Sequence, residues 1–155
     1  MRTLVLGKSD IGFAVMEIFP ESKMISQSDC DVRDIEGLMK IFREFRPELV
    51  VNCAGVSHIQ KVEDSDPQGW EEELSVNLFG SYAVARAAAG VVPNAILVFF
   101  ASVAGLFGKA EHSGYSASKA GVISLVQSLS MEGYRAYSIS PGRVNTKMRE
   151  KDLPG

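Results

Sequence analysis

The chain has 155 residues, 46% of them hydrophobic and 23% charged, with a formal net charge of −3. That is the size and balance of one soluble globular domain, and it excludes the strongly basic surface that a nucleic acid or an anionic membrane demands. Two cysteines, Cys30 and Cys53, are too few for a disulfide framework and stand in no metal-ligand spacing, so a cytoplasmic protein without a metal is expected.

Apolar runs of strand length occur at residues 2–7, 23–27, 48–55, 95–102 and 135–142. Between them, apolar positions recurring at three and four predict helices over Ile11–Phe19, Ile35–Phe45, Trp70–Ala89 and Tyr115–Met131. Strand and helix alternate, and the strands are apolar on both faces. This predicts an α/β fold: a doubly wound parallel sheet flanked by helices, in a single domain over residues 1–155. The uncharged stretch 87–108 is long enough to cross a bilayer, but Gly90, Pro93 and Asn94 split it into a helix end and a buried strand, so no membrane span is expected. The N-terminal "TLVLG" is too short for a signal-peptide core and reads as the first strand, while "REKDLPG" at the other end reads as a loose tail.

In such a sheet, ligands bind beyond the carboxyl ends of the strands. After the first run comes "GKSDIG", Gly7 to Gly12, a tight turn into a helix N-terminus whose free N–H groups can hold a pyrophosphate. Alone, it is equally an ordinary strand-to-helix turn. After the third run stands "NCAG", and after the fourth "ASVAG", with Ser102 on the rim. Tyr115 and Lys119 are four residues apart on one helix, hence on one face. A free tyrosine titrates at about 10 and is a poor base at neutral pH. Lowering that value by about two to three units takes roughly 3 to 4 kcal/mol of preferential phenolate stabilisation, within reach of a close ammonium. With Ser102 hydrogen-bonding the same substrate oxygen, the three describe an acid/base site that moves a proton at oxygen while a hydride moves at carbon.

These motifs resemble the short-chain dehydrogenases/reductases: the first glycine turn, "DV" at Asp31 and Val32, "NCAG", "VNLFG" with Asn77, "SVAG" with Ser102, "YSASK", and "PGRVNT" from Pro141 to Thr146. The resemblance implies a Rossmann-like fold and a nicotinamide cofactor. It implies Tyr115 as the acid/base, Ser102 as its partner on the carbonyl oxygen, Lys119 as a ligand of the nicotinamide ribose, and Asn77 as part of a proton-relay water site. By the same resemblance, Gly7, Ser9, Ile11 and Gly12 approach the phosphates and ribose, Asp31 and Val32 the adenine, and Asn52, Ala54 and Gly55 the central region. Pro141 and Gly142 lead to Val144 and Thr146, which face the carboxamide. The pattern also departs from the family. The phosphate loop is one residue short, a helix and a strand are missing between "KMISQ" and "CDVRD", and the sheet is expected to be truncated at the C-terminus.

NADP(H) is the expected cofactor, because Gln27-Ser28 ends the second strand without the acidic residue that binds a ribose 2′-hydroxyl, and Lys8 adds a favourable charge. NAD(H) remains open through Asp29. A homodimer or homotetramer is expected, since "SYAVARAAAG" and "AGVISLVQSL" carry more small and apolar residues than one-sided burial needs. The substrate is a small carbonyl or alcohol. Two other functions fit: a non-catalytic cofactor-binding sensor or scaffold, and sugar-nucleotide reductase or epimerase chemistry on the same four residues. His58 and His112 are expected to be loop residues, Trp70 a packing residue, and Glu71 to Glu73 a solvated helix face.

Overall fold

The computed structural model describes residues 1–142 and 144, so Thr146 and the charged tail lie outside the described residues. Five parallel strands, β1 (Thr3–Leu6), β2 (Lys23–Ile25), β3 (Leu49–Asn52), β4 (Ile96–Phe100) and β5 (Ala136–Ile139), lie in the order β2-β1-β3-β4-β5. Each is shorter than the apolar run that announced it, because the flanking residues leave the ladder to form the rim. Four of the strands run in register through Leu4, Val50, Leu97 and Ala136. Only turns join Ile25 to the next helix, so Asp31 and Val32 follow β2 directly, as the missing helix and strand required.

The helices are α1 (Asp10–Ile18), α2 (Ile35–Phe45), α3 (Pro67–Glu73), α4 (Gly80–Val91) and α5 (Ser113–Met131). The step from β1 to β2 runs opposite to all later steps, so right-handed crossovers put α1 on one face of the sheet and α2, α4 and α5 on the other. There α2 packs along α4, and α5 lies against β5. Leu4, Leu6, Val50, Leu97 and Phe99 face these helices and join Leu38, Phe42, Val84 and Val122 in the core. On β4 the alternate residues Ile96, Val98 and Phe100 are only half-buried, on the face that α1 covers in part.

Local chemistry sets the helix starts. Ser9 caps α1, its Oγ accepting from the Gly12 N–H at 3.1 Å, and Asp34 caps α2 through the Gly37 N–H at 3.0 Å. Asp66 caps α3 ahead of a proline in its first turn. The helix expected over Trp70–Ala89 is longer and not uniform. Between α3 and α4, residues Leu74–Phe79 form a π-helical turn in which the Gly80 N–H donates to the Ser75 carbonyl, five residues back. Such turns concentrate at functional sites, and this one carries Asn77.

Candidate active site

The strand order reverses between β1 and β3, the position where an open α/β sheet forms a crevice. A cavity of about 380 Å³ lies there, lined among others by Gly7, Lys8, Ser9, Asp31, Val32, Ala54 and Gly55. Gly7 lines it, and Gly12 lets the turn behind Gly7 close. Gly7 has φ of +98°, and a Cβ on it would stand 2.6 Å from the Ala54 nitrogen; a Cβ on Gly12 would stand 2.5 Å from the Gly7 carbonyl oxygen. The turn is thus drawn tight against "NCAG", with the Gly7 N–H donating to the Ile25 carbonyl at 2.9 Å and the Ser9 N–H to the Gly7 carbonyl at 3.1 Å. Asn52 is buried behind this wall rather than in it: its Oδ1 accepts from the Ala54 N–H at 3.2 Å and its Nδ2 donates to Ser81 Oγ at 3.2 Å. Ile11 lies on the first turn of α1, outside the lining.

At the far end, Asp31 takes a two-pronged grip from Arg33, with Nε to Oδ1 at 2.9 Å. The guanidinium holds the Asp31 carboxyl below its ordinary range. Asp29 is exposed but engaged locally, its Oδ2 accepting from both the Ser26 N–H at 2.8 Å and the Ser26 hydroxyl at 2.6 Å. Pro141 follows β5, and its carbonyl accepts from the Val103 N–H at 3.2 Å, which sets it beside the residue after Ser102. Gly142 and Val144 are exposed.

The four candidate catalytic residues gather at one end of the sheet. Lys119, only 5% exposed, donates from Nζ to the Phe100 carbonyl at 2.7 Å and stands 5.6 Å from the centre of the Tyr115 ring. Burial lowers its ammonium to about 8. Burial also raises the neighbouring Cys53 thiol to about 12, with Lys119 opposing. Ser102 stands two residues beyond Phe100, where its Oγ caps a short 3₁₀ turn by accepting from the Ala104 N–H at 3.1 Å. Gly105 ends that turn against the Lys119 backbone, where a Cβ would lie 2.6 Å from the carbonyl carbon. Phe100 before Ser102 and Gly105 after it are therefore both seated on Lys119, four residues from Tyr115. Ser102 and Tyr115 are brought to one rim in this way.

Asn77 is 1% exposed, and its side chain is fully used. Oδ1 accepts from the Val56 N–H at 2.8 Å, while Nδ2 donates to the Val56 carbonyl at 2.9 Å and to Ser118 Oγ at 3.0 Å. It ties the loop after β3 to α5. Its own carbonyl accepts from the Ser81 hydroxyl at 2.6 Å.

Sequence reasoning missed three contributors. Glu73 is not on a solvated face: it is 2% exposed, accepts from the His58 N–H at 2.7 Å, and lies against Gly114, where a Cβ would be 2.2 Å from Oε2. Ser81 and Ser118 hold Asn52 and Asn77. The available signal was spacing, because Glu73 and Asn77, like Gly114 and Ser118, stand four apart on facing helices. His112 is also no simple loop residue. It is buried just before α5, with its ring edge-on to Tyr115 at 6.3 Å between centres.

A family model described as short chain dehydrogenase matches residues 5–154. An uncharacterized short-chain type dehydrogenase/reductase of Sinorhizobium fredii is 37% identical over 130 residues, which are 80% of this chain and 23% of that protein. The human (3R)-3-hydroxyacyl-CoA dehydrogenase is 34% identical over 113 residues, 68% of this chain and 43% of that protein. Among solved structures, ligand-free aldohexose dehydrogenase of Thermoplasma acidophilum superposes with a TM-score of 0.84 at 24% identity, covering 97% of this chain and 70% of its own. A short chain dehydrogenase of Burkholderia cenocepacia in complex with NADP superposes at 0.85 with 20% identity, covering 100% and 79%. A parallel sheet with a glycine-built crevice, and the match along nearly all of its length, make this chain a member of the short-chain dehydrogenase family. It spans less than half the length of the two curated relatives named here.

Proposed function

We propose that the chain is an oxidoreductase that interconverts an alcohol and a carbonyl on a small molecule, with a nicotinamide cofactor. The observation that carries this reading is the buried ammonium of Lys119, 5.6 Å from the Tyr115 ring and anchored to the strand end that presents Ser102. A buried cation beside the ring favours the charged phenolate over the neutral phenol, which is what proton transfer at Tyr115 needs. Tyr115 gives or takes the proton at the substrate oxygen, and the Ser102 hydroxyl donates a hydrogen bond to that oxygen as its charge changes. Asn77 keeps the loop after β3 and helix α5 at a fixed separation.

The crevice suits a dinucleotide. Gly7 and Gly12 leave room that a Cβ would fill, and Ser9 stands at the N-terminus of α1, where phosphate oxygens are favoured. Asp31 and Val32 would hold the adenine end, and Ala54 and Gly55 the middle. When bound, the nicotinamide ring takes or supplies the hydride at the substrate carbon. We read the cofactor as NADP(H): Lys8, Gln27 and Ser28 line the crevice, while Asp29 is engaged by Ser26 rather than presented to a ribose. The relative from Burkholderia cenocepacia was solved with NADP. Calorimetric titration with both cofactors decides the point, and tighter binding of NAD would overturn this choice.

Most of the small residues of α4 are consumed within the subunit: Ala83, Val84, Ala85, Ala87 and Ala88 are buried. What remains for a homodimer or homotetramer is the apolar face of Leu74, Leu78, Phe79 and Tyr82. Light scattering at micromolar concentration tests it.

Activity is tested with a panel of ketones, aldehydes and sugar nucleotides, following the cofactor absorbance. Turnover of a ketone or aldehyde supports the reading. Cofactor binding with no substrate turned over would instead support a sensor.

A further inference from the structure

We propose that the turn Lys109–His112 presents the Lys109 ammonium as a recognition point for a carboxylate on the substrate, so that the favoured substrates are keto acids or hydroxy acids. The proposal rests on the reading of Tyr115 as the proton-transfer group.

Three observations converge on this turn. First, the roles in its hydrogen bonds are forced. Lys109 Nζ stands 3.0 Å from His112 Nε2, and an ammonium can only donate, so Nε2 accepts. His112 Nδ1 stands 2.8 Å from the Ala110 carbonyl, which can only accept, so Nδ1 carries the proton. The geometry is that of the uncharged imidazole, locked in one tautomer and holding the lysine head group in place. Second, the ring that does this is 5% exposed and edge-on to Tyr115. The cation is thereby fixed on the loop that joins Ser102 to Tyr115. Third, the backbone is strained to achieve it. The turn closes through the His112 N–H to the Lys109 carbonyl at 3.2 Å, and Glu111 sits at φ of +64°, a conformation that suits glycine or asparagine. Strain of this kind persists where surrounding structure imposes it, commonly at ligand sites.

Among the described residues the Lys109 charge has no ion-pair partner. The ion pairs of those residues are Arg33 with Asp31 and His58 with Glu72, so no described carboxylate, that of Glu111 included, neutralises Lys109. Lys109 is exposed, whereas Lys119 is sealed and committed to Phe100. Two cations therefore flank the Tyr115 end of α5 with different tasks, one turned inward to the phenol and one open to an incoming anion.

The test uses the full chain with NADP(H) and with NAD(H), and three probes that place the carboxylate at increasing distance from the ketone: pyruvate, acetoacetate and levulinate, each beside its neutral methyl ester. The parent should prefer the acid for at least one pair. Lys109→Met should lower that acid-to-ester ratio of kcat/KM by about 10- to 100-fold, and Lys109→Glu should invert it. His112→Phe, which removes the holding nitrogen, should lower it less. Lys40→Met, at an exposed position on α2, should leave the ratio unchanged. Ester turnover equal to acid turnover in the parent, or an unchanged ratio in Lys109→Met, overturns the proposal and leaves the oxidoreductase reading standing. If neither acid nor ester is reduced, binding of the three acids to the cofactor-loaded protein is followed by saturation-transfer NMR. Binding abolished by Lys109→Met then supports the anion site, whereas no binding, or binding that persists in Lys109→Met, overturns it; the oxidoreductase reading is decided separately by the wider substrate panel.

Discussion

Lys119 reaches back from α5 to the carbonyl of Phe100 at 2.7 Å, joining the helix that carries Tyr115 to the strand end that carries Ser102. The bond is side chain to backbone, so it fixes position without specifying the residue at 100. It also buries a charge whose proton affinity reports directly on the site.

The first prediction concerns stability against pH. The Lys119 ammonium is lowered from 10.5 to about 8, so its burial penalty is complete below pH 8 and is relieved as pH rises toward 10.5. In that window the unfolded chain binds the extra proton, and stability rises with pH. Cys53 works the other way: its thiol stays protonated in the fold up to about 12 against an ordinary 9, so it removes stability above pH 9. Urea denaturation of the cofactor-free protein should show a gain from pH 8 to 9 and a near-flat stretch above it. Lys119→Met should abolish the gain and be more stable than the parent below pH 8, by up to about 3 kcal/mol. A parent and variant with parallel pH profiles would contradict this.

Replacing Tyr115 with Phe keeps the ring and its place beside Lys119 while removing the hydroxyl proposed to transfer the proton. Turnover should fall by at least about 10³-fold, with the cofactor dissociation constant within about threefold of the parent. Single-turnover absorbance together with calorimetry separates the two effects.

Ser102→Ala should lower kcat by about 10²- to 10⁴-fold, the scale of a hydrogen bond made to developing charge. Its Oγ also caps the 3₁₀ turn at Ala104, so a loss of about 1 kcal/mol in unfolding free energy should accompany it. A kinetic loss with no thermal shift would show that the cap contributes nothing.

Gly7→Ala forces a Cβ to within 2.6 Å of the Ala54 nitrogen, at a φ of +98° that disfavours any side chain. The expected cost is about 1 to 3 kcal/mol of stability, with cofactor binding weakened more than tenfold. Ser9→Ala removes the α1 cap and should cost about 1 kcal/mol of stability.

Gly114→Ala should be destabilising because the new methyl meets Glu73 Oε2 at 2.2 Å and Trp70 at 2.8 Å. Pairing it with Glu73→Ser should recover part of the loss, and the coupling can be read from a double-mutant cycle by chemical denaturation.

Much of this was legible in the chain. The alternation of apolar runs and helical spacing is a direct record of burial, so all five strands and the main helices stood where periodicity put them. Tyr115 and Lys119 were readable because four residues on one helix is a geometric statement. The use of Asn77 was not, since its partners Val56 and Ser118 are 21 and 41 residues away and their pairing is decided by how the π-helical turn meets α5. Glu73 was misread for the same reason: three adjacent glutamates look solvated, and only the packing of Gly114 on that surface buries the third. His112 passed for a loop residue because its neighbour in space is the side chain of Lys109, held by a turn whose strained residue, Glu111, carries no mark in its identity.

The π-helical turn at Leu74–Phe79 acts as a phase shift. One residue more than an α-helix needs is accommodated there, so the surface that α3 turns toward α5 and the surface that α4 turns toward α2 differ by about 100° from what an uninterrupted helix would present. Deleting a single residue between 74 and 79 would shorten the chain very little, yet it would rotate either Glu73 and Asn77 away from α5 or the alanines of α4 away from α2. The irregularity lets one rod serve two partners that a straight helix could not satisfy together.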